Sequence, residues 1–448
     1  MLAAMQEIDL TIEKMVAEGH ALARLDRFVV FVEGALPGER VRATLRYRKK
    51  SHAFARVSEI LTPSPHRVTP ACPVFGHCGG CAFQHMAYPA QLEVKQAIVK
   101  EALHGVANAA GLVAPTMGME DPFHFRNKMV YAFGRQDGRT VLGLHRRGDW
   151  CSIVPAATCL LQSPESREVL ARMLDFATSR QLPPCDEKSG QGLLRHLAIR
   201  EGKNTGERMV HLHATEPHPA FQEIPALLGP LATTVLASYH KGVPEAAPPE
   251  TTFVLAGEGL LRERLNDFLF EIGPATFFQT NTRQAERLFR LVQEWAAEAH
   301  PAKAVDLYAG TGPIALHLGR VAGTVLGIEA HAPSVDAARR NLSLNGAHRV
   351  RMECAEAEKI ADRLREEKPD LVVVDPPRPG LHPKALSALL AADARHLIYV
   401  SCNPATLARD LTLLAEAGYR AEAIQPVDMF PHTFHIEVAV RLKKSAEE

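Results

Sequence analysis

The chain has 448 residues, 46% of them hydrophobic and 23% charged, and its 51 basic and 51 acidic side chains cancel to a formal net charge of zero. This is an ordinary globular composition with length for roughly two to four domains; no run approaches the roughly 18 consecutive apolar residues of a membrane helix, and eight cysteines are too sparse for a disulfide scaffold. With no charged leader before an apolar core at the N-terminus, the expected location is the cytoplasm, and balanced charge requires any nucleic-acid footprint to be local.

Residues 8–12, 28–32, 41–47 and 54–61 are short β-like segments broken by Gly19, Gly34 and Pro37-Gly38, the pattern of a small all-β barrel. Between Arg40 and Arg56 the chain carries Arg42, Arg46, Arg48, Lys49 and Lys50 as well, with Tyr47 and Phe54 among them and no acid. Such a strip is either a solvated face or a surface that follows a phosphate backbone. The prolines at 63 and 65 mark a linker, since closely spaced prolines cannot continue a central strand. Beyond it one helix is expected over 89–103, followed by mostly antiparallel strands. Hairpins are predicted from 129–133 with 140–144 around Asp137-Gly138, and from 194–200 with 209–213 around the turn at 202–206.

Cys72, Cys78 and Cys81 lie on a glycine-rich loop whose backbone can wrap a compact ligand. Such a set binds zinc or an iron-sulfur cluster, and the fourth ligand has to come from Cys151 or Cys159.

From Lys303 onward strands at 304–308, 324–329, 350–354, 371–375 and 397–401 alternate with amphipathic segments, which predicts a doubly wound, mostly parallel sheet. Segments 422–427 and 436–442 are expected to close it as an antiparallel pair. After the first strand, Asp306-Leu307-Tyr308-Ala309-Gly310-Thr311-Gly312 makes the tight turn that lets a ligand approach the backbone. The third glycine of a dinucleotide site is missing, and Glu329 stands about twenty residues on, where a carboxylate can accept ribose hydroxyls. These features fit S-adenosylmethionine. The fourth strand ends in Asp375-Pro376-Pro377-Arg378; it lacks the aromatic residue that stacks on the base in amino-methyltransferases, which argues against methylation of an exocyclic amine.

The fifth strand runs into Ser401-Cys402-Asn403-Pro404, so a thiol sits at the carboxyl end of the sheet, where ligands bind. Carbon 5 of a pyrimidine is a poor nucleophile, and a thiolate adding at carbon 6 makes it enolate-like. A base must then remove the carbon 5 proton, and Glu437 supplies a carboxylate at the start of the last strand.

The run from Ser401 to Asp410, the Asp375-Pro376-Pro377-Arg378 tetrapeptide and Pro431-His432-Thr433-x-His435-x-Glu437 resemble the signatures of the RNA uridine-C5 methyltransferases, as does Phe277-Phe278-Gln279-Thr280-Asn281. The resemblance implies Cys402 as nucleophile and Glu437 as base. It implies Gln279, Tyr308, Glu329 and Asp375 as contacts of the methyl donor, with Gly310 and Gly312 in the cofactor turn and Glu356 at a further contact position, and it puts Phe277 near the target base. Pro313 stands where relatives often carry Asn. The same resemblance chooses Cys159 as the fourth ligand, with Cys72, Cys78 and Cys81, of a [4Fe-4S] cluster. It divides the chain into a TRAM-like, OB-like RNA-binding barrel over 1–62, a central cluster-bearing domain over 63–270 and a Rossmann-like methyltransferase domain over 271–448. The implied substrate is a uridine in structured RNA, 23S ribosomal RNA first and transfer RNA as the alternative, with no membrane and no obligate protein partner. Two other classes stand beside this reading: an RNA-binding or chaperone protein with an inactive catalytic domain, and an iron-sulfur redox protein.

Overall fold

A computed structural model describes residues 7–186, 188–240 and 251–445. The chain opens with β1 (Glu7–Met15), β2 (Ala21–Leu25), β3 (Phe28–Glu33), β4 (Arg40–Arg48) and β5 (His52–Thr62), closed into a barrel in the order β1-β2-β3-β5-β4. Its narrow interior is filled by small side chains, among them Ala21, Ala23, Val30, Val32, Val41, Ala43, Ala53 and Ala55. Strand β2, Ala-Leu-Ala-Arg-Leu, was not anticipated: these are helix-forming residues, and pairing with β1 and β3 overrides their local preference.

Helix α1 (Tyr88–Ala102) follows. Its Val99, with Leu103 just beyond, packs into the core of the C-terminal sheet beside Tyr399, Leu407 and Ile424. The central sheet comprises β6 (Lys128–Gln136), β7 (Arg139–Arg146), β8 (Asp149–Pro155), β9 (Leu194–Glu201), β10 (Arg208–Ala214), β11 (Thr234–Tyr239) and β12 (Thr251–Ala256), ordered β12-β11-β10-β9-β6-β7-β8. Both predicted hairpins form, and Asp137 and Gly138 both have positive φ, 51° and 76°, as a two-residue turn of the hairpin hand requires. Helix α2 (Pro164–Ser179) covers one face through Val169, Leu170, Met173 and Phe176, and the short α3 (Ile224–Leu228) lies beside it.

A hairpin of β13 (Leu261–Leu265) and β14 (Phe268–Ile272) leads to α4 (Thr282–Ala299). The final unit runs β15 (Lys303–Leu307), α5 (Pro313–Leu318), β16 (Thr324–Glu329), α6 (Ala332–Leu344), β17 (Val350–Cys354), α7 (Ala361–Glu367), β18 (Leu371–Val374), α8 (Pro383–Ala391), β19 (His396–Ser401), α9 (Pro404–Glu416), β20 (Tyr419–Val427) and β21 (Glu437–Lys444). Its sheet is ordered β17-β16-β15-β18-β19-β21-β20. The first five strands are parallel; the central β18 and β19 are buried on both faces, hence their apolar runs, whereas the edge strand β17 alternates buried and exposed residues. The expected antiparallel pair is β20 and β21, with β21 inserted beside β19. Strand order reverses between β15 and β18, which opens a crevice at their carboxyl ends. Among the described residues no helix is long and apolar enough to cross a membrane.

Candidate active site

The turn after β15 is held in a conformation that side chains avoid. Tyr308 has φ +64°, Gly310 +54° and Gly312 +86°, and a Cβ at Gly312 would press against Ala338 of α6 at 3.4 Å. Gly312 caps α5, whose first residue is Pro313, a position where a missing backbone donor costs nothing. Glu329 crosses from β16: one carboxyl oxygen accepts from the Gly310 amide at 3.0 Å and the other from the His331 amide at 2.8 Å. Beside this turn lies a cavity of about 430 Å³ lined by Phe277, Gln279, Tyr308, Gly310 and Asp375, among others. Glu356 is not part of that lining; it is exposed and paired with Lys359 at 2.8 Å.

Asp306, not singled out from the sequence, lies fully buried beneath the turn, and neither of its carboxyl oxygens finds a partner at full hydrogen-bond geometry. Burial first, then Asp375 nearby, keeps its carboxyl protonated well above the ordinary range. An acid inside an apolar strand was the available signal.

Across the crevice, Cys402 occupies the turn between β19 and α9. Asn403 caps α9 by accepting from the Ala405 amide at 3.1 Å, and Asn403 Nδ2 and the Thr406 hydroxyl both donate to the Arg378 carbonyl at 3.2 Å. These bonds lock the cysteine turn to the Asp375–Arg378 loop. Beneath it the buried Asp410 accepts from the Leu381 amide at 2.9 Å, the Tyr399 hydroxyl at 2.7 Å and Arg409 at 2.8 Å. Cys402, Glu437, Asp375 and Arg378 are close enough to perturb one another's charges. Burial, then Glu437 and Asp375, pushes the Cys402 thiol up to about 11, and Arg378 opposes them. Burial raises Asp375 to about 7. Glu437 is raised well above the carboxylate range by burial and by Asp375, with Arg378 again opposing. The Arg378 guanidinium also contacts His435 Nδ1 at 2.7 Å.

Phe277 is 68% exposed at the rim, which leaves its ring face open to stacking. Its segment is anchored to the central sheet: Asn127 Nδ2 donates to the Gln279 carbonyl at 2.8 Å and to the Thr282 hydroxyl at 2.9 Å.

Cys72, Cys78, Cys81 and Cys159 face a common cavity of about 410 Å³, walled by apolar residues such as Phe75, Leu144, Val154 and Leu161. Cys151 is exposed and lines a different groove, with Cys185. Burial pushes Cys81 up to about 12 and Cys159 to about 11. Burial pulls the Arg126 guanidinium below its ordinary range, Cys81 and Cys159 oppose this, and its Nε has no hydrogen-bond partner. Among the described residues no group of three or more His, Cys, Asp or Glu is arranged to hold a single metal ion.

The tRNA (uracil-5-)-methyltransferase family pattern matches residues 258–445, and the TRAM domain pattern residues 5–57. An uncharacterized RNA methyltransferase of Gloeobacter violaceus is 39% identical, covering 98% of this chain and 97% of its own. One of Halalkalibacterium halodurans is 35% identical over 96% and 95%. Among solved structures, the Pyrococcus abyssi tRNA (uracil-54, C5)-methyltransferase in complex with S-adenosyl-L-homocysteine superposes with a TM-score of 0.78, 29% identity and coverage of 97% and 99%.

Proposed function

We propose, for a chain that belongs to the RNA (uracil-5-)-methyltransferase family and carries its TRAM domain, that Cys402 attacks carbon 6 of a uridine in structured RNA and Glu437 removes the proton from carbon 5. The observation that carries this reading is the meeting of thiol, two acids and one arginine in the crevice between the Cys402 turn and the Asp375 loop. S-adenosylmethionine, bound along Tyr308, Gly310 and Glu329, supplies the electrophilic methyl group.

A stacked uridine has to leave its helix or come from a loop, at a cost of a few kcal/mol, and Phe277 offers a face for it. The Cys402 thiolate bonds to carbon 6 and the displaced electron pair moves to the carbonyl oxygen at carbon 4, leaving carbon 5 nucleophilic. After methylation the Glu437 carboxylate takes the carbon 5 proton, and the returning electron pair expels the thiolate. Arg378 is the cation that favours the charged forms of both Cys402 and Glu437. Gln279 and Asp375 line the same cavity as Tyr308 and Gly310.

The four cysteines are read as the ligands of a [4Fe-4S] cluster. They line one apolar-walled cavity, with Cys151 outside it, and would hold the irons of such a cluster. Arg126 would offset part of the negative charge at Cys81 and Cys159. The barrel is read as an RNA-contacting domain. Arg42 is neutralised by Asp9 and Glu59, but Arg46, Arg48, Lys49 and Lys50 make no ion pair among the described residues, and Tyr47, half exposed, stacks on Phe54 with ring centroids 4.6 Å apart.

The substrate we assign is 23S ribosomal RNA, from the branch that joins barrel and cluster cysteines. Transfer RNA is a second reading, favoured by similarity to the P. abyssi enzyme. Mapping 5-methyluridine by mass in ribosomal and transfer RNA from cells with and without the gene separates them: the site that disappears names the substrate, and loss of none overturns the assignment.

A further inference from the structure

The segment from Asp428 to Glu437 is where the parts of the molecule meet. Phe434 lies against Gly19 of the barrel, Asn281 Nδ2 donates to the Met429 carbonyl at 3.1 Å, and the fully buried Lys95 of α1 donates to Asp428 at 2.5 Å and to the Phe430 carbonyl at 3.0 Å. Within this segment His432 is buried and has φ +63°. A residue with a side chain stays in that region only when its surroundings hold it, at a strain of about 1–3 kcal/mol.

The holding groups come from the cysteine-bearing segment and from α1, which follows it. The amides of Ala82 and Phe83, immediately after Cys81, both donate to the His432 carbonyl, at 2.8 and 2.9 Å. The His432 amide donates to Gln91 Oε1 at 3.0 Å, and Gln91 Nε2 lies 3.2 Å from His432 Nδ1. Gln91 is fully buried and pinned by donating to the Phe83 and Met86 carbonyls at 3.0 and 2.8 Å. Upstream, Gln84 ties the loop together, donating to Cys81 Sγ at 3.2 Å and accepting from the Cys72 amide at 3.1 Å. Downstream, the His435 amide donates to the Thr433 hydroxyl at 3.2 Å, and Glu437 begins β21 two residues later.

We infer that the cysteine-bearing segment, together with α1, is a positioning element of the methyl-transfer site: Ala82, Phe83 and Gln91 hold His432 left-handed, and that conformation sets where the Glu437 carboxyl stands. The inference rests on Glu437 being the base. A group held at Cys81 would sit next to the Ala82 and Phe83 amides that reach His432.

The test uses full-length protein, radiolabelled methyl donor and unmodified substrate RNA, and follows the labelled covalent enzyme–RNA complex in H432V, H432N, Q91L and E437Q. Valine is strongly disfavoured at positive φ, whereas asparagine tolerates it. H432V and Q91L should accumulate the complex as E437Q does, with breakdown slowed about 100-fold by misplacement of the carboxyl and the donor KM unchanged. H432N should clear it faster than H432V, and amide exchange over 430–437 should rise in Q91L but not across the barrel. Clearance at the parent rate in folded H432V and Q91L, with E437Q still trapped, overturns the inference alone. Failure of E437Q to accumulate complex overturns the assignment of the base, and the inference with it.

Discussion

Around Cys402 burial keeps protons on groups that the proposed chemistry has to release. Cys402, Asp375 and Glu437 are all shifted upward, burial being the largest cause for each, and the nearby counter-charge is Arg378. An R378A variant should therefore move the rising limb of the pH–rate profile to more alkaline pH; an unmoved limb would remove Arg378 from the electrostatics of the site. Asp375 also carries a stability signature. Its carboxyl is raised from 3.8 to about 7 in the folded chain, so the folded state retains a proton that the unfolded state has lost. This contribution is complete below about pH 4 and disappears as pH rises through about 7. Thermal unfolding of the parent and D375N across that range should show the parent losing stability relative to the variant; parallel curves would contradict the shift.

At the scale of elements, the loop after β18 is tied to β19 and α9 because Asp410 joins them from below. D410A leaves the Leu381 amide and the Tyr399 hydroxyl without their acceptor, at about 1–3 kcal/mol for each buried donor left unpaired. A lowered denaturant midpoint should accompany slower catalysis, and an unchanged midpoint would show that the brace is dispensable. These elements were readable from the chain because strands covered on both faces are continuous apolar runs and their turns carry glycine, proline and Cys402. Helix α2 escaped notice although Ser163 and Pro164 announce it, since Ser163 accepts from the Ser166 amide at 3.2 Å. The roles of Gln91 and Lys95 could not be read at all: their partners His432 and Asp428 lie 341 and 333 residues away, and no local pattern reports such a pairing.

For the molecule as a whole, the loop before β21 joins the barrel, the cysteine loop and α1 to the sheet that carries Cys402. Its deepest tie is Lys95 with Asp428, both side chains fully buried and Asp428 also receiving the Tyr88 hydroxyl at 2.8 Å. K95M strands a buried charge and should cost about 3–5 kcal/mol, whereas a K95M/D428L pair should recover much of it; equal unfolding midpoints for the single and double variants would argue against a buried ion pair. In the barrel, reversing Arg46, Arg48 and Lys49 should weaken RNA binding and lower the salt slope by roughly 0.7–0.9 for each phosphate no longer neutralised. An unchanged slope would assign that strip to solubility. The covalent role of Cys402 is tested most directly with RNA containing 5-fluorouridine, in which carbon 5 carries no proton for Glu437 to remove once the methyl group has been transferred. The parent protein should form a denaturation-resistant complex whose RNA-linked peptide contains Cys402, and C402A should form none; a folded, donor-bound parent that yields no such complex, or a C402A variant that still does, would contradict the account.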